Sequence, residues 1–174
     1  VKKNSFKRKK IVKDIGHELT KGKGYFVIKN YFNKQKIKKA FDIIKKRINH
    51  DKNFRTKKFK FSRDKKLNQK YVYNLINLNK IFVELIQPKL AMEVFRDLLG
   101  DKFICGFFAA NCLMPGAKGQ FPHIDYPYID MVKPGTKIPF DTGKNFLFNC
   151  QILIPLNDIN KENGATAYLK NSHK

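Results

Sequence analysis

The chain has 174 residues, of which 42% are hydrophobic and 13% aromatic, and it has a formal net charge of +23. Enough apolar side chain is present to fill a core, which excludes a globally disordered chain, and the length fits one domain with at most a short appendage. The charge by itself suggests a polyanion partner, but residues 1–70 hold 26 bases and 5 acids while residues 71–174 hold 11 bases and 9 acids, so the surplus belongs to the N-terminal part.

In chain order, residues 1–22 read as a basic lead of weak periodicity, ending at Gly22 and Gly24. Tyr25, Phe26, Val27 and Ile28 then predict a short strand. Asn33 is an N-cap for a helix to about Ile48, with an apolar stripe of Ile37, Phe41, Ile44 and Ile48 between lysines. Residues 50–70, polar and basic with scattered Phe, predict a surface loop. A second helical region starts with Ile81, Val83, Leu85 and Ile86, has Pro88 near a helix start, continues through Leu90, Val94, Leu98 and Leu99, and closes at Gly100.

Beyond Gly100 the texture turns to β. Strands are predicted over 103–113 and 146–155, separated by a turn at Pro115 and Gly116, an extended stretch 120–125 and a long loop 126–143. Asn163-Gly164 is a hairpin signal, with 165–169 as the returning strand. Helices followed by an antiparallel β region imply an α+β chain, mainly β in its core: a sandwich, roll or barrel behind a helical cover.

Cys105, Cys112 and Cys150 lie in apolar runs without CxxC spacing, an odd count that speaks for small buried side chains in a reducing compartment rather than a disulfide framework. The basic start lacks an apolar signal-peptide core, and the run 103–110 is too short to span a bilayer, so a soluble, cytoplasmic protein without a membrane partner is expected. Only five of the 37 bases are Arg, and Lys, Asn and Ile abound, the bias of A/T-rich coding; nucleic-acid readers favour the bidentate Arg, so nucleic acid is not the expected partner despite the charge.

Of the four histidines, His17 and His50 sit in charged stretches and read as solvated. His123 stands two residues before Asp125, and in extended backbone positions i and i+2 share a face, so one strand end can present an imidazole and a carboxylate to a single metal. A third ligand from elsewhere would complete the two-His-one-carboxylate set of Fe(II) oxygenases; the alternative is a surface His hydrogen-bonded to a nearby carboxylate. Asn111 and Gln151, on the two strong strands, are candidates for contacts to a co-substrate, with outward-facing strand polarity as the plainer reading of Gln151. Tyr126 and Tyr128 would line a substrate pocket or cover the barrel mouth.

From Gly24 onward the chain resembles the phytanoyl-CoA dioxygenase family of Fe(II)/2-oxoglutarate oxygenases. The resemblance lies in Gly24-Tyr25-Phe26-Val27-Ile28 before the Asn33-capped helix and in Leu98-Leu99-Gly100 before the β region. It continues in Pro115-Gly116 followed by Gln120-Phe121-Pro122-His123-Ile124-Asp125, in Pro155-Leu156-Asn157-Asp158, in Glu162-Asn163-Gly164-Ala165-Thr166 and in Ser172-His173-Lys174. Beyond the basic lead over 1–22, it implies that 23–174 is the N-terminal and middle part of an oxygenase domain. That domain would be a double-stranded β-helix (jelly roll, cupin-like) with an N-terminal helical layer, its C-terminal strands missing.

The implied cofactors are Fe(2+), 2-oxoglutarate as co-substrate and O2. The implied activity is hydroxylation of a small molecule, with His123 and Asp125 as catalytic metal ligands. The retained Asp125 points to oxygenation rather than to the halogenation of related enzymes that lack this carboxylate. Where the family has Pro-Gly before the hairpin-end His, this chain has Lys170 and Asn171. The distal metal-binding His and the 2-oxoglutarate-binding Arg are expected beyond Lys174, His173 being the alternative third ligand; so incomplete a chain is expected not to turn over 2-oxoglutarate by itself. Two rival readings are a non-catalytic cupin-like metal or small-molecule binder, and a basic nucleic-acid-binding protein using Phe54, Phe59 and Phe61 as stacking rings among lysines. Substrate identity and oligomeric state leave no mark in the sequence.

Overall fold

The computed structural model describes residues 2–50, 68–123, 147 and 149–172. It is α+β: helices α1 (Lys2–Thr20) and α2 (Lys34–His50), strand β1 (Gln69–Val72), helices α3 (Leu75–Leu78), α4 (Ile81–Ile86) and α5 (Lys89–Leu99), and strand β2 (Ala110–Leu113). β1 and β2 form an antiparallel pair in which Gln69 faces Leu113, Lys70 faces Cys112, Tyr71 faces Asn111 and Val72 faces Ala110.

The basic lead is a helix, which its sequence hides. Its apolar stripe has only three members, Val12, Ile15 and Leu19, set among lysines, yet they pack with Val94, Leu90 and Leu98 of α5 into a small core of their own. Arg8 with Glu93 (2.7 Å) and Lys13 with Asp97 (2.6 Å) flank this seam. Basic residues of the lead thus meet acids of the near-neutral part, although exposed pairs of this kind stabilise by only about 0–1 kcal/mol each.

Helix α2 begins as its sequence dictates: the Asn33 Oδ1 accepts the Gln35 N–H at 2.7 Å, satisfying one of the first-turn donors. Ala40, Ile44 and Ile48 form its buried stripe, and they join Val72, Leu75, Ile81, Phe82 and Leu85 in the main core, with Ala110 and Cys112 of β2 packed against it. Within α4 the buried residues are Ile81, Phe82 and Leu85 rather than an alternating set including Val83, which is exposed. Pro88 opens α5, where its missing N–H costs nothing, and Gly100 closes it with a φ of +83° and its N–H donated to the Arg96 carbonyl.

The predicted strands fare less well. Residues 25–28 and the described residues of 146–155 and 165–169 belong to no ladder, and only 110–113 of the stretch 103–113 is a strand. Apolar, β-prone sequence makes a strand only when a neighbour supplies hydrogen bonds, and among the described residues only β1 does so. Gln69–Val72, in turn, lies partly in the stretch expected as a loop.

At 160–165 the chain turns, but not as a two-residue hairpin. A type I′ turn needs positive φ at both central residues, and here Gly164 has it (+97°) while Asn163 does not. Instead the Asn160 Oδ1 accepts the N–H groups of Glu162 and Asn163, and the Ala165 N–H closes on the Asn160 carbonyl at 2.9 Å. A Cβ on Gly164 would fall 2.2 Å from Leu113 Cδ1, so the turn sits directly over the end of β2. Gly164→Ala is expected to lower unfolding free energy by about 1–2 kcal/mol, the cost of a left-handed Cβ, because the half-exposed Leu113 side chain can rotate away. Urea unfolding checks it; a loss under about 0.5 kcal/mol would mean that the turn relaxes freely.

Candidate functional site

The approach to His123 is built by a tight turn. The Met114 N–H donates to the Asn68 carbonyl at 2.8 Å, continuing the β1–β2 pairing, and the Ala117 N–H donates to the Met114 carbonyl at 3.0 Å. Pro115 and Gly116 are the central residues, and Gly116 has a φ of +81°, the arrangement of a type II turn. The turn reverses the chain and sends 118–123 back from the end of β2.

His123 is exposed, and its Nδ1 lies 2.6 Å from the Phe121 carbonyl oxygen. A carbonyl only accepts, so Nδ1 is the donor in this contact. A backbone carbonyl on one ring nitrogen is the usual device that orients a metal-binding imidazole and fixes its tautomer. The donor set His123 and Asp125, nitrogen plus carboxylate oxygen, suits Fe(II); Asp125 lies outside the described residues, as do Tyr126, Tyr128, His173 and the Phe54, Phe59 and Phe61 set. Among the described residues no group of three or more His, Cys, Asp or Glu is placed to hold a metal ion.

The two other candidate contacts differ from each other. Asn111 is exposed on β2 opposite Tyr71, and its Oδ1 accepts a hydrogen bond from Gln69 Nε2 at 3.1 Å. Gln151 is exposed in a segment without regular structure. His17 and His50, on α1 and α2, are both exposed, as expected of solvated histidines. All three cysteines are free thiols. Burial pushes Cys112 and Cys150 up to about 11, so both stay protonated at neutral pH and are poor nucleophiles or ligands.

Gln69 and Tyr71 escaped the sequence reading. Side chains of successive strand residues point to opposite faces, so by the register Val72, Ala110 and Cys112 face the main core while Gln69, Tyr71, Asn111 and Leu113 share the opposite face. The period-two pattern of Gln69, Tyr71 and Tyr73 against Lys70 and Val72 was the available signal, masked by the surrounding lysines.

The C-terminal described segment returns to the start of the domain. The Tyr168 hydroxyl and the Asn171 N–H both donate to the Lys23 carbonyl (2.7 and 3.4 Å), and the Tyr25 and Tyr168 rings meet edge to face at 4.4 Å. Asn171 stands where the resemblance leads one to expect Gly, and it adopts the same left-handed backbone, φ +64°, which Asn tolerates better than other side chains.

Among the described residues no helix is long and apolar enough to cross a membrane. No solved structure matches the chain. The "Dioxygenase af480" of Aspergillus fumigatus is 27% identical over 103 residues, a match covering 59% of this chain and 30% of that protein. The family model described as phytanoyl-CoA dioxygenase (PhyH) matches residues 21–174, and the chain belongs to that family.

Proposed function

We propose that this chain is part of a dioxygenase that uses Fe(II), 2-oxoglutarate and O2 to hydroxylate a small molecule, on a jelly-roll core behind the helical layer. Residues 23–174 would form the N-terminal and middle part of that domain and residues 1–22 a preceding lead. His123 and Asp125 would hold the iron. Asn111 and Gln151 would face the co-substrate. The observation that supports the reading best is the contact of His123 Nδ1 with the Phe121 carbonyl, because a backbone carbonyl on one ring nitrogen is the usual device that orients a metal-binding imidazole.

When bound, the iron would supply oxygen activation coupled to oxidative decarboxylation of 2-oxoglutarate. The protein's own part is to orient the imidazole and to keep water from the reacting atoms with the apolar lining of the roll. Anaerobic titration of Fe(II) and 2-oxoglutarate into the full-length protein tests this. A visible charge-transfer band that needs both components, and vanishes on chelation, is expected. A folded protein that gives no band with saturating Fe(II) and 2-oxoglutarate would overturn the proposal.

A further inference from the structure

The face of the β1–β2 pair turned away from the main core holds a side chain that should not be there without a purpose. Gln69 is a polar residue only 6% exposed. Burying an amide costs free energy unless its hydrogen bonds are made, and here both hydrogens of Nε2 are used: one goes to the Tyr71 hydroxyl oxygen at 3.0 Å, the other to Asn111 Oδ1 at 3.1 Å. The 160–165 turn covers one end of this face, since Gly164 lies against Leu113, the register partner of Gln69. Asn111, the register partner of Tyr71, is its exposed end.

This arrangement fixes a polarity. An asparagine amide has an accepting oxygen and a donating NH2, and which of them faces outward is decided by its neighbours. Gln69 takes the oxygen, so Asn111 turns its Nδ2 hydrogens outward and offers donors to whatever approaches. Donors suit a carboxylate or keto oxygen and repel a cation or another donor. Beside them the Tyr71 and Tyr73 rings stack at 6.0 Å and Phe107 meets Tyr73 edge to face, an apolar wall that lowers the local dielectric and strengthens such bonds. The type II turn at Pro115 and Gly116 folds 118–123 back from this same strand, His123 standing ten positions after Leu113.

We propose that Gln69 is a positioning residue: by holding Asn111 Oδ1 it presents the Asn111 Nδ2–H group as a hydrogen-bond donor to an oxygen of the 2-oxoglutarate co-substrate. The inference rests on the Fe(II)/2-oxoglutarate reading above and extends it to a residue that never touches the ligand. It distinguishes Gln69 from a structural filler, because inverting the polarity of the buried group must invert what Asn111 offers. A carboxylate at position 69 can only accept, so it draws the Asn111 NH2 inward and turns Oδ1 towards the co-substrate oxygens. Once protonated, the same carboxyl can donate again.

The test is calorimetric titration of 2-oxoglutarate into the full-length protein loaded with Mn(II), with Mn(II) affinity measured separately. Asn111→Ala is expected to weaken 2-oxoglutarate binding by about tenfold, the order of one charge-assisted hydrogen bond. Gln69→Glu should weaken it more than Gln69→Leu, and its deficit relative to the wild type at the same pH should shrink as the pH falls and the introduced carboxyl takes up its proton. Mn(II) affinity should be unchanged in all three. Asn111→Asp, at an exposed position that folding tolerates, repeats the inversion without disturbing the buried site and should be the weakest binder.

Wild-type affinity in Asn111→Ala, or equal and pH-independent losses in Gln69→Glu and Gln69→Leu, would overturn the positioning role while leaving the oxygenase reading intact. A wild-type protein that binds neither Mn(II) nor 2-oxoglutarate would remove both.

Discussion

His123→Ala is expected to abolish Fe(II) binding at micromolar protein, whereas His50→Ala leaves it unchanged. Loss of an outer hydrogen-bond partner of a ligand already costs roughly 10–100-fold in metal affinity, and loss of the ligand itself should exceed that. Both histidines are exposed, so neither substitution removes core contacts and both variants should unfold at the wild-type denaturant midpoint. His50 ends α2, whereas His123 follows the turn after β2. Equilibrium dialysis with Fe(II) under anaerobic conditions separates the two. Equal affinity in wild type and His123→Ala would move the metal site away from the His-x-Asp step.

The parts of the molecule that the sequence discloses are those whose hydrogen bonds close locally. Helix α2 is legible from Asn33 and the spacing of Ile37, Ile44 and Ile48, and α5 from Pro88 and Gly100, because a helix satisfies its own backbone and its caps lie within a few residues. The Pro115-Gly116 turn is legible for the same reason. Strands depend on a partner far along the chain: Gln69 pairs with Leu113, 44 positions later, and nothing near Gln69 announces it. Strong β propensity in Ile152, Leu153 and Ile154 produces no ladder among the described residues, since propensity describes fit to a pleated surface and not the presence of one.

The site divides along the same line. His123 and Asp125 stand two apart and are visible as a pair in the sequence, whereas the Gln69–Asn111 contact joins residues 42 positions apart and emerges only once the two strands are laid side by side. Helix α1 shows the converse limit. Its three-residue stripe has too little apolar content to stand out among lysines, and it becomes a helix face only because α5 offers Val94 and Leu98 to cover it.

Phe82→Ala is expected to cost about 3–5 kcal/mol of unfolding free energy, the range for emptying a buried aromatic site. Phe82 is 1% exposed and lies within the cluster formed by Ala40, Ile44, Val72, Leu75 and Leu85, so helix α2, strand β1 and helices α3 and α4 all lose packing at once. Domains are stable by only about 5–15 kcal/mol, so this single change removes a large share of the total. The neighbouring Val83 is 39% exposed, and Val83→Ala should stay within about 1 kcal/mol. The contrast reports which register α4 adopts: helical spacing buries Ile81, Phe82 and Leu85, whereas an extended segment burying Ile81, Val83 and Leu85 would reverse the ranking. Urea unfolding followed by circular dichroism measures both, with an unchanged m-value expected because the surface exposed on unfolding hardly changes. If Val83→Ala proved the costlier of the two, the helical packing of α4 against the main core would be wrong, and with it the support that holds β1 and the Gln69 side chain in place.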